Sequence, residues 1–364
     1  MAAHMKPTVG KKCKAFLPES GEILHVGVDV HRRSYAVAIW SNLRGHVAQW
    51  TQPAEPAILV ERLSPLTGHI GRVVYEAGPT GFSLVRALRS AGIPADVIAT
   101  SMMLKTVSRD SKSDRMDCRR LAEHAAKELF RLIRVPTEEE EQDRQLLRLR
   151  EQMVRKHRQI RQQIKSFLLT HGIAYAHGLK TWTLQGLKVL RELEMPELLR
   201  RCFDVLLDEE EHARAQVQRI NEAVKKLMAT VRHRKKVEVL RSVPGVGVVT
   251  AMTFQTELLG PERFNQPAEV AKMIGLAPLV QESGERRREG SLIKAGNWRL
   301  RTILVEAAWR WVRQDEGAKT LYRRCVRNTG DGKKAIVAVA RKLAIMLWRM
   351  VTREEMYRGR VAAA

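Results

Sequence analysis

Long apolar runs are missing from this chain of 364 residues. No segment approaches the roughly 20 residues of a membrane-spanning helix, and no apolar stretch of signal-peptide type stands near the start. Cysteine is scarce, and Cys13, Cys118, Cys202 and Cys325 lie too far apart for a CxxC or Cys/His cluster. That spacing excludes a zinc finger or ribbon and suits reduced thiols in a cytoplasm. A GxxxxGK[ST] phosphate loop is absent too, so nothing points to nucleotide hydrolysis. Acids are in the minority, 40 against 64 Lys and Arg, which leaves a formal net charge of +24. Such an excess attracts a polyanion, and for a cytoplasmic protein the usual one is nucleic acid.

What is present divides by texture. KPTVGKKCKAF, within residues 1–22, reads as a basic, poorly ordered arm. Residues 23–136 alternate strand and helix patterns. ILHVGVDVHRRSYAVAIW is a β-hairpin, GHVAQW a third strand, RVVYEAG and PADVIAT later strands, and SDRMDCRRLAEHAAKELF a helix. Three antiparallel strands followed by strands interleaved with helices predict an α/β sheet of mixed direction. Residues 137–238 lose the strands. Two long charged helices, with apolar positions such as Leu146, Leu149, Met153, Ile160, Ile164 and Leu168 on the first, predict an antiparallel coiled-coil arm. Residues 239–352 predict a smaller helical domain with a polar, Arg-rich loop in its middle, and 353–364 a tail.

Asp29 is a lone acid in the apolar alternation of the first strand, and Glu76 ends a later strand in the same way. In neighbouring strands both project from one sheet edge. Asp114 and Asp117 are three apart near a helix start, so they share a face where the helix dipole favours acids. Taken singly, each acid is as readily a solvated or capping residue. Four carboxylates in one place repel unless a cation sits among them, and oxygen ligands of this kind hold Mg²⁺ or Mn²⁺. The ordered set matches the ribonuclease-H-like fold in its RuvC-like form.

Two further segments bear on nucleic acid. SVPGVGVVTA resembles the turn of a helix-hairpin-helix, where Gly245 and Gly247 let backbone N–H groups approach a phosphate. In QESGERRREGSLIKAGN, Ser283 precedes Gly284 and is followed by Arg286, Arg287, Arg288 and Lys294. A serine becomes a useful nucleophile toward phosphorus when cations neutralise the phosphate. On the residues alone Ser291 is an equal candidate, and either serine fits an ordinary solvated loop.

The motifs VGVDVHRRSYAVAI, VVYEAGPTGFSLVRAL, SKSDRMDCRRLAEH, LRSVPGVGVVTAMTFQTELLGPERFNQPAEVAKMIGLAPLVQESG and IKAGNWRLRTILVEAA occur in order from about residue 23 to 350. Together they resemble the DEDD-class insertion-sequence transposases of the insertion sequence one-hundred-and-ten family, related to Piv-type DNA invertases. The resemblance implies a RuvC-like domain with Asp29, Glu76, Asp114 and Asp117 as Mg²⁺ or Mn²⁺ ligands. It also implies a serine nucleophile, which falls on Ser283 and leaves Ser291 the weaker choice. Expected partners are donor and target DNA, a structured non-coding RNA encoded by the element, and further copies of the chain, as a dimer to tetramer built through the arm. The expected setting is the cytoplasm. Cys118 stands where relatives commonly carry alanine, and the ERRRE loop departs from them. The main rival is a metal-dependent nuclease or junction resolvase that uses water.

Overall fold

The computed structural model describes residues 17–99, 114–130, 132–174, 182–283, 286–292 and 295–359, with the backbone alone at 114–116, 279–283 and 286–291. Lys294, most of the basic N-terminal arm and the end of the tail lie outside the described residues. The chain forms two compact units, Met1–Val135 and Pro136–Ala364.

The first unit is built on a six-stranded sheet of order β3-β2-β1-β4-β5-β6. Its strands are β1 (Leu24–Val30), β2 (Ser34–Ser41), β3 (Gly45–Pro53), β4 (Ile70–Glu76), β5 (Ala95–Ile98) and β6 (Leu132–Ile133). β1, β2 and β3 pair antiparallel, β4 and β5 continue parallel to β1, and β6 closes the edge antiparallel. The two-residue β6 is too short to leave a periodic signal in the sequence. Strand alternation sends Leu24, Val26 and Val28, each 0% exposed, into a core shared with Leu59 and Leu63 of α1 (Pro56–Leu63) and Leu84 and Leu88 of α2 (Ser83–Ser90). On the opposite face lies α3 (Asp114–Ala126). Its Cys118 and Ala122 pack on Ala36 and Ala38, and its Leu121 and Ala125 on Val74 and Ile98. Helices cover both faces, as an open sheet with parallel central strands requires. The arrangement is consistent with a ribonuclease-H-like domain.

The second unit is helical. α4 (Glu138–Thr170) starts at a capping box in which Thr137 and Glu140 satisfy each other's backbone N–H groups. α6 (Glu197–Met228) returns alongside it, and the pairings Arg150–Asn221, Arg161–Glu210 and Phe167–Phe203 run in opposite order on the two helices. The pair is therefore antiparallel. Its far end carries a small core of Ile164, Leu168, Phe203 and Leu207, completed by Leu187 and Leu190 of α5 (Leu184–Arg191). Its near end joins a large core with α7 (Val231–Arg241), α8 (Val248–Leu258), α9 (Pro267–Ile274), α10 (Trp298–Gln314), α11 (Glu316–Thr329) and α12 (Gly332–Arg353). The Arg-rich segment expected as a loop is a two-stranded sheet, β7 (Pro278–Ser283) against β8 (Arg286–Leu292).

Candidate functional site

The acids of the first unit are positioned by sheet register. Val28 of β1 is level with Tyr75 of β4, so Asp29 and Glu76 follow as neighbours at the C-terminal ends of adjacent parallel strands. Strands so paired stand about 4.8 Å apart. Val28 and Tyr75 are both 0% exposed in the core under α1 and α2, so alternation turns the next residues to the face carrying α3. Glu76 is held from both sides. Ala77 N–H donates to the Ile98 carbonyl at 3.0 Å, and the Tyr75 hydroxyl donates to the Gly81 carbonyl at 3.1 Å, pinning the following turn. Burial pushes the Tyr75 phenol up to about 12, so it remains a donor.

Gly27 explains how α3 reaches this edge. A Cβ there would lie 2.3 Å from both the Ala122 nitrogen and the Cys118 carbonyl oxygen, so the helix rests directly on the strand backbone. α3 begins at Asp114, with Asp117 in its first turn and half-buried. Cys118, next to Asp117, is 0% exposed, and burial pushes its thiol up, with the nearby Asp29 charge adding to the effect. Gln49 Nε2 donates to the Cys118 sulfur at 3.5 Å, and Arg119 Nε donates to Gln49 Oε1 at 2.6 Å, tying α3 to β3. The buried Cys118 thiol is therefore a packing group. His31, two residues beyond Asp29, meets its Oδ2 through Nε2 at 3.0 Å. Sequence reading misses that partner, since a histidine in the HRRS turn gives no sign of where it points.

Among the described residues no three acid, His or Cys side chains stand close enough to hold a metal by themselves. The side chain of Asp114 is not among them. The carboxylates at this edge offer oxygen donors of the kind that fit a hard cation such as Mg²⁺ or Mn²⁺, with the His31 imidazole beside Asp29.

In the second unit, Ser283 ends β7 and pairs with Arg286, the first residue of β8. Glu282 pairs with Arg287 and Gln281 with Arg288, so Arg286 and Arg288 share the face of Ser283 and Arg287 stands on the other. Ser291 lies at the base of the hairpin, where Gly290 and Ser291 together oppose the single residue Leu279 in a register shift. The two candidate serines thus occupy opposite ends of one hairpin. Of the paired glycines, Gly245 has φ +85° and a Cβ there would come within 2.7 Å of the Trp311 nitrogen, so it lets the α7–α8 turn pack on α10. Gly247 caps the N-terminus of α8 with open space around it.

A charge network that sequence reading misses holds the base of a cleft of about 320 Å³ between α4, α8 and α10. Glu257, 2% exposed, accepts two hydrogen bonds from Arg148 at 2.7 and 2.9 Å and one from Asn297 Nδ2 at 2.7 Å. Burial alone raises the Glu257 carboxyl, but Arg148 and Asn297 outweigh it and hold it below the usual range. Asn297 also caps α10, accepting from the Arg299 and Leu300 N–H groups.

The described residues include no helix long and apolar enough to cross a membrane. Residues 26–173 match a family model described as a transposase of the DEDD type. Residues 237–323 match a second model, described as the transposase IS116/IS110/IS902 family. A Sinorhizobium fredii protein named provisionally as a transposase is 31% identical over 352 residues, covering 89% of this chain and 87% of its own. The transposase for insertion sequence element IS1111A of Coxiella burnetii is 27% identical, covering 79% of this chain and 80% of its own. The transposase for insertion sequence element IS1533 of Leptospira borgpetersenii is 25% identical, covering 89% and 94%.

Proposed function

Because the chain belongs to the IS116/IS110/IS902 family of transposases, we propose that it excises and inserts its own element through a serine–DNA covalent intermediate. The observation that carries this reading is the placement of Asp29 and Glu76 just past the Val28–Tyr75 pair, at the ends of adjacent strands β1 and β4, on the face of the helix that Asp114 opens and Asp117 joins. These four carboxylates would hold Mg²⁺ or Mn²⁺, which when bound would supply positive charge to offset that of a phosphate. Ser283 Oγ attacks phosphorus, forming a phosphoserine bond as a deoxyribose oxygen leaves and takes up a proton. The reverse attack by a deoxyribose hydroxyl on the new strand releases the serine. One phosphodiester is exchanged for another, so no nucleotide hydrolysis is needed. Arg286 and Arg288, on the serine's face of the hairpin, draw the phosphate in, with Arg287 and Lys294 as further cations of the segment. Gly247 leaves the N-terminus of α8 open to a second phosphate, with Gly245 shaping the turn before it.

Target choice on this reading is made by base pairing to an RNA from the element's non-coding end, so specificity resides outside the protein. The net charge of +24 supports a nucleic-acid partner. Assembly to a dimer or tetramer runs through the arm, whose end exposes Leu169, Leu184, Leu198 and Val205 at 80%, 70%, 74% and 62%.

The test is a denaturing gel of labelled DNA with wild type, Ser283→Ala and Ser291→Ala. Wild type and Ser291→Ala should carry DNA into a covalent adduct, and Ser283→Ala should not. An adduct lost only in Ser291→Ala moves the nucleophile to that residue. DNA cut with no adduct in any of the three establishes the water-using nuclease instead.

A further inference from the structure

On the reading of the chain as a transposase, we propose that the exposed face of α10 is a stacking track for an unpaired DNA strand, with Trp298 and Trp309 as its platforms. These tryptophans are 42% and 36% exposed, whereas Trp311 and Trp348 of the same unit are 6% and 7% exposed. A spacing of eleven residues is three helical turns, so the two indoles lie on one face about 16 Å apart. That gap corresponds to about five nucleotides at helical rise.

Guanidinium groups lie over the Trp298 ring, and arginines line the hollow beside Trp309. The guanidinium carbons of Arg155 and Arg299 lie 5.8 and 4.5 Å from the Trp298 ring centre. Glu151 bonds both arginines at 2.8 Å, which fixes the two guanidiniums over the ring while Trp298 keeps the exposure that a stacking base needs. The cleft beside Trp298 has Arg158 at its margin, and the hollow beside Trp309 is lined by Arg310 and Arg313. Tyr322, with its ring centre 5.6 Å from that of Trp309, braces the second platform. Aromatic faces with guanidinium neighbours suit single strands, because every unpaired base offers a π-face and a duplex hides it. Strand exchange creates unpaired DNA, which selects DNA as the occupant. Glu306 stands between the two platforms and borders both hollows, where it repels the backbone of the strand.

The experiment measures binding of the full chain to a fluorescent mixed-sequence 15-mer as single-stranded DNA, as its duplex and as single-stranded RNA. Trp298→Ala and Trp309→Ala should each weaken single-stranded DNA about five- to a hundred-fold and leave duplex affinity unchanged. Trp298→Phe should recover most of the loss, and Glu306→Gln should tighten binding. Iodouracil in the DNA strand should crosslink to the peptide that contains Trp298. Equal losses on single strand and duplex overturn the track, as does a loss confined to RNA. A change of oligomeric state in sedimentation with DNA affinity unmoved assigns the face to a second copy. Adduct formation by wild type without these losses sinks the track and spares the transposase reading. The losses without any adduct do the reverse.

Discussion

At Gly27 a single hydrogen atom decides whether two layers fit. A methyl group there would push against the backbone of α3 at both Ala122 and Cys118, and overpacking of that kind costs about 1–3 kcal/mol or more. Gly27→Ala should therefore lower the melting temperature of the chain and its recombination together, because it displaces the helix that carries Asp114 and Asp117. Asp29→Asn and Asp117→Asn should separate these effects, with thermal melts unchanged and recombination in magnesium abolished. Full recombination by Asp29→Asn would sink the four-acid site. Asp29 is legible in the sequence because it is the one acid in a strand whose apolar residues alternate. The nearness of Glu76 is not, since it depends on which strands become neighbours. His31 is illegible for a third reason: its bond to Asp29 is set by the geometry of the turn, which leaves no spacing rule behind.

Elements that bury one face announce themselves, and elements that do not stay hidden. β1 and β2 alternate because large side chains meet α1 and α2 on one face while Gly27, Ala36 and Ala38 admit α3 on the other. The β7–β8 hairpin carries QES and RRREG along its strands, so no apolar period marks it and the segment reads as a loop. Ser283 is reached through family resemblance, while its pairing with Arg286 comes only from register. The arm is an intermediate case. Its helices are evident from their apolar spacing, but the layer that interrupts their packing is not. Glu210 of α6, 0% exposed, sits against His157 and Arg161 of α4, both at 2.9 Å, and Arg214 at 3.1 Å. Burial alone raises its carboxyl, yet these three partners hold it below the usual range. Glu210→Ala should cost about 3–5 kcal/mol in urea denaturation at pH 7, because three cationic or polar partners lose their counter-charge. A depressed carboxyl stabilises fully above its unfolded value of about 4.3 and loses that stabilisation as pH falls through the lower folded value. The wild-type stability curve should hence fall below about pH 4.3, and the variant should fall less steeply. Parallel acid limbs in the two proteins would refute this role for Glu210.

For the molecule as a whole, charge sets the terms of binding. An excess of +24 predicts affinity for RNA and DNA that drops steeply with salt. Neutralising six to ten phosphates would make affinity fall by about 10³–10⁵ between roughly 50 and 200 mM salt. Lys156→Glu with Arg158→Glu, both at exposed positions on α4, should reduce the salt slope by about one for each phosphate left without its cation. An unchanged slope would remove the arm from the binding surface. Purified protein that recombines DNA with no RNA present would exclude guidance by RNA. The arm also acts as a ruler. At about 1.5 Å per residue, α4 holds the far core of Ile164, Leu168, Phe203 and Leu207 roughly 40 Å along from where the helix begins. Lengthening α4 and α6 by seven residues each carries that end outward about 10 Å with nearly the same side facing forward, whereas five residues turn it by roughly 140°. Natural length variation in such an arm should thus come in steps near seven or eleven residues, the short graduations that change reach while nearly keeping aim.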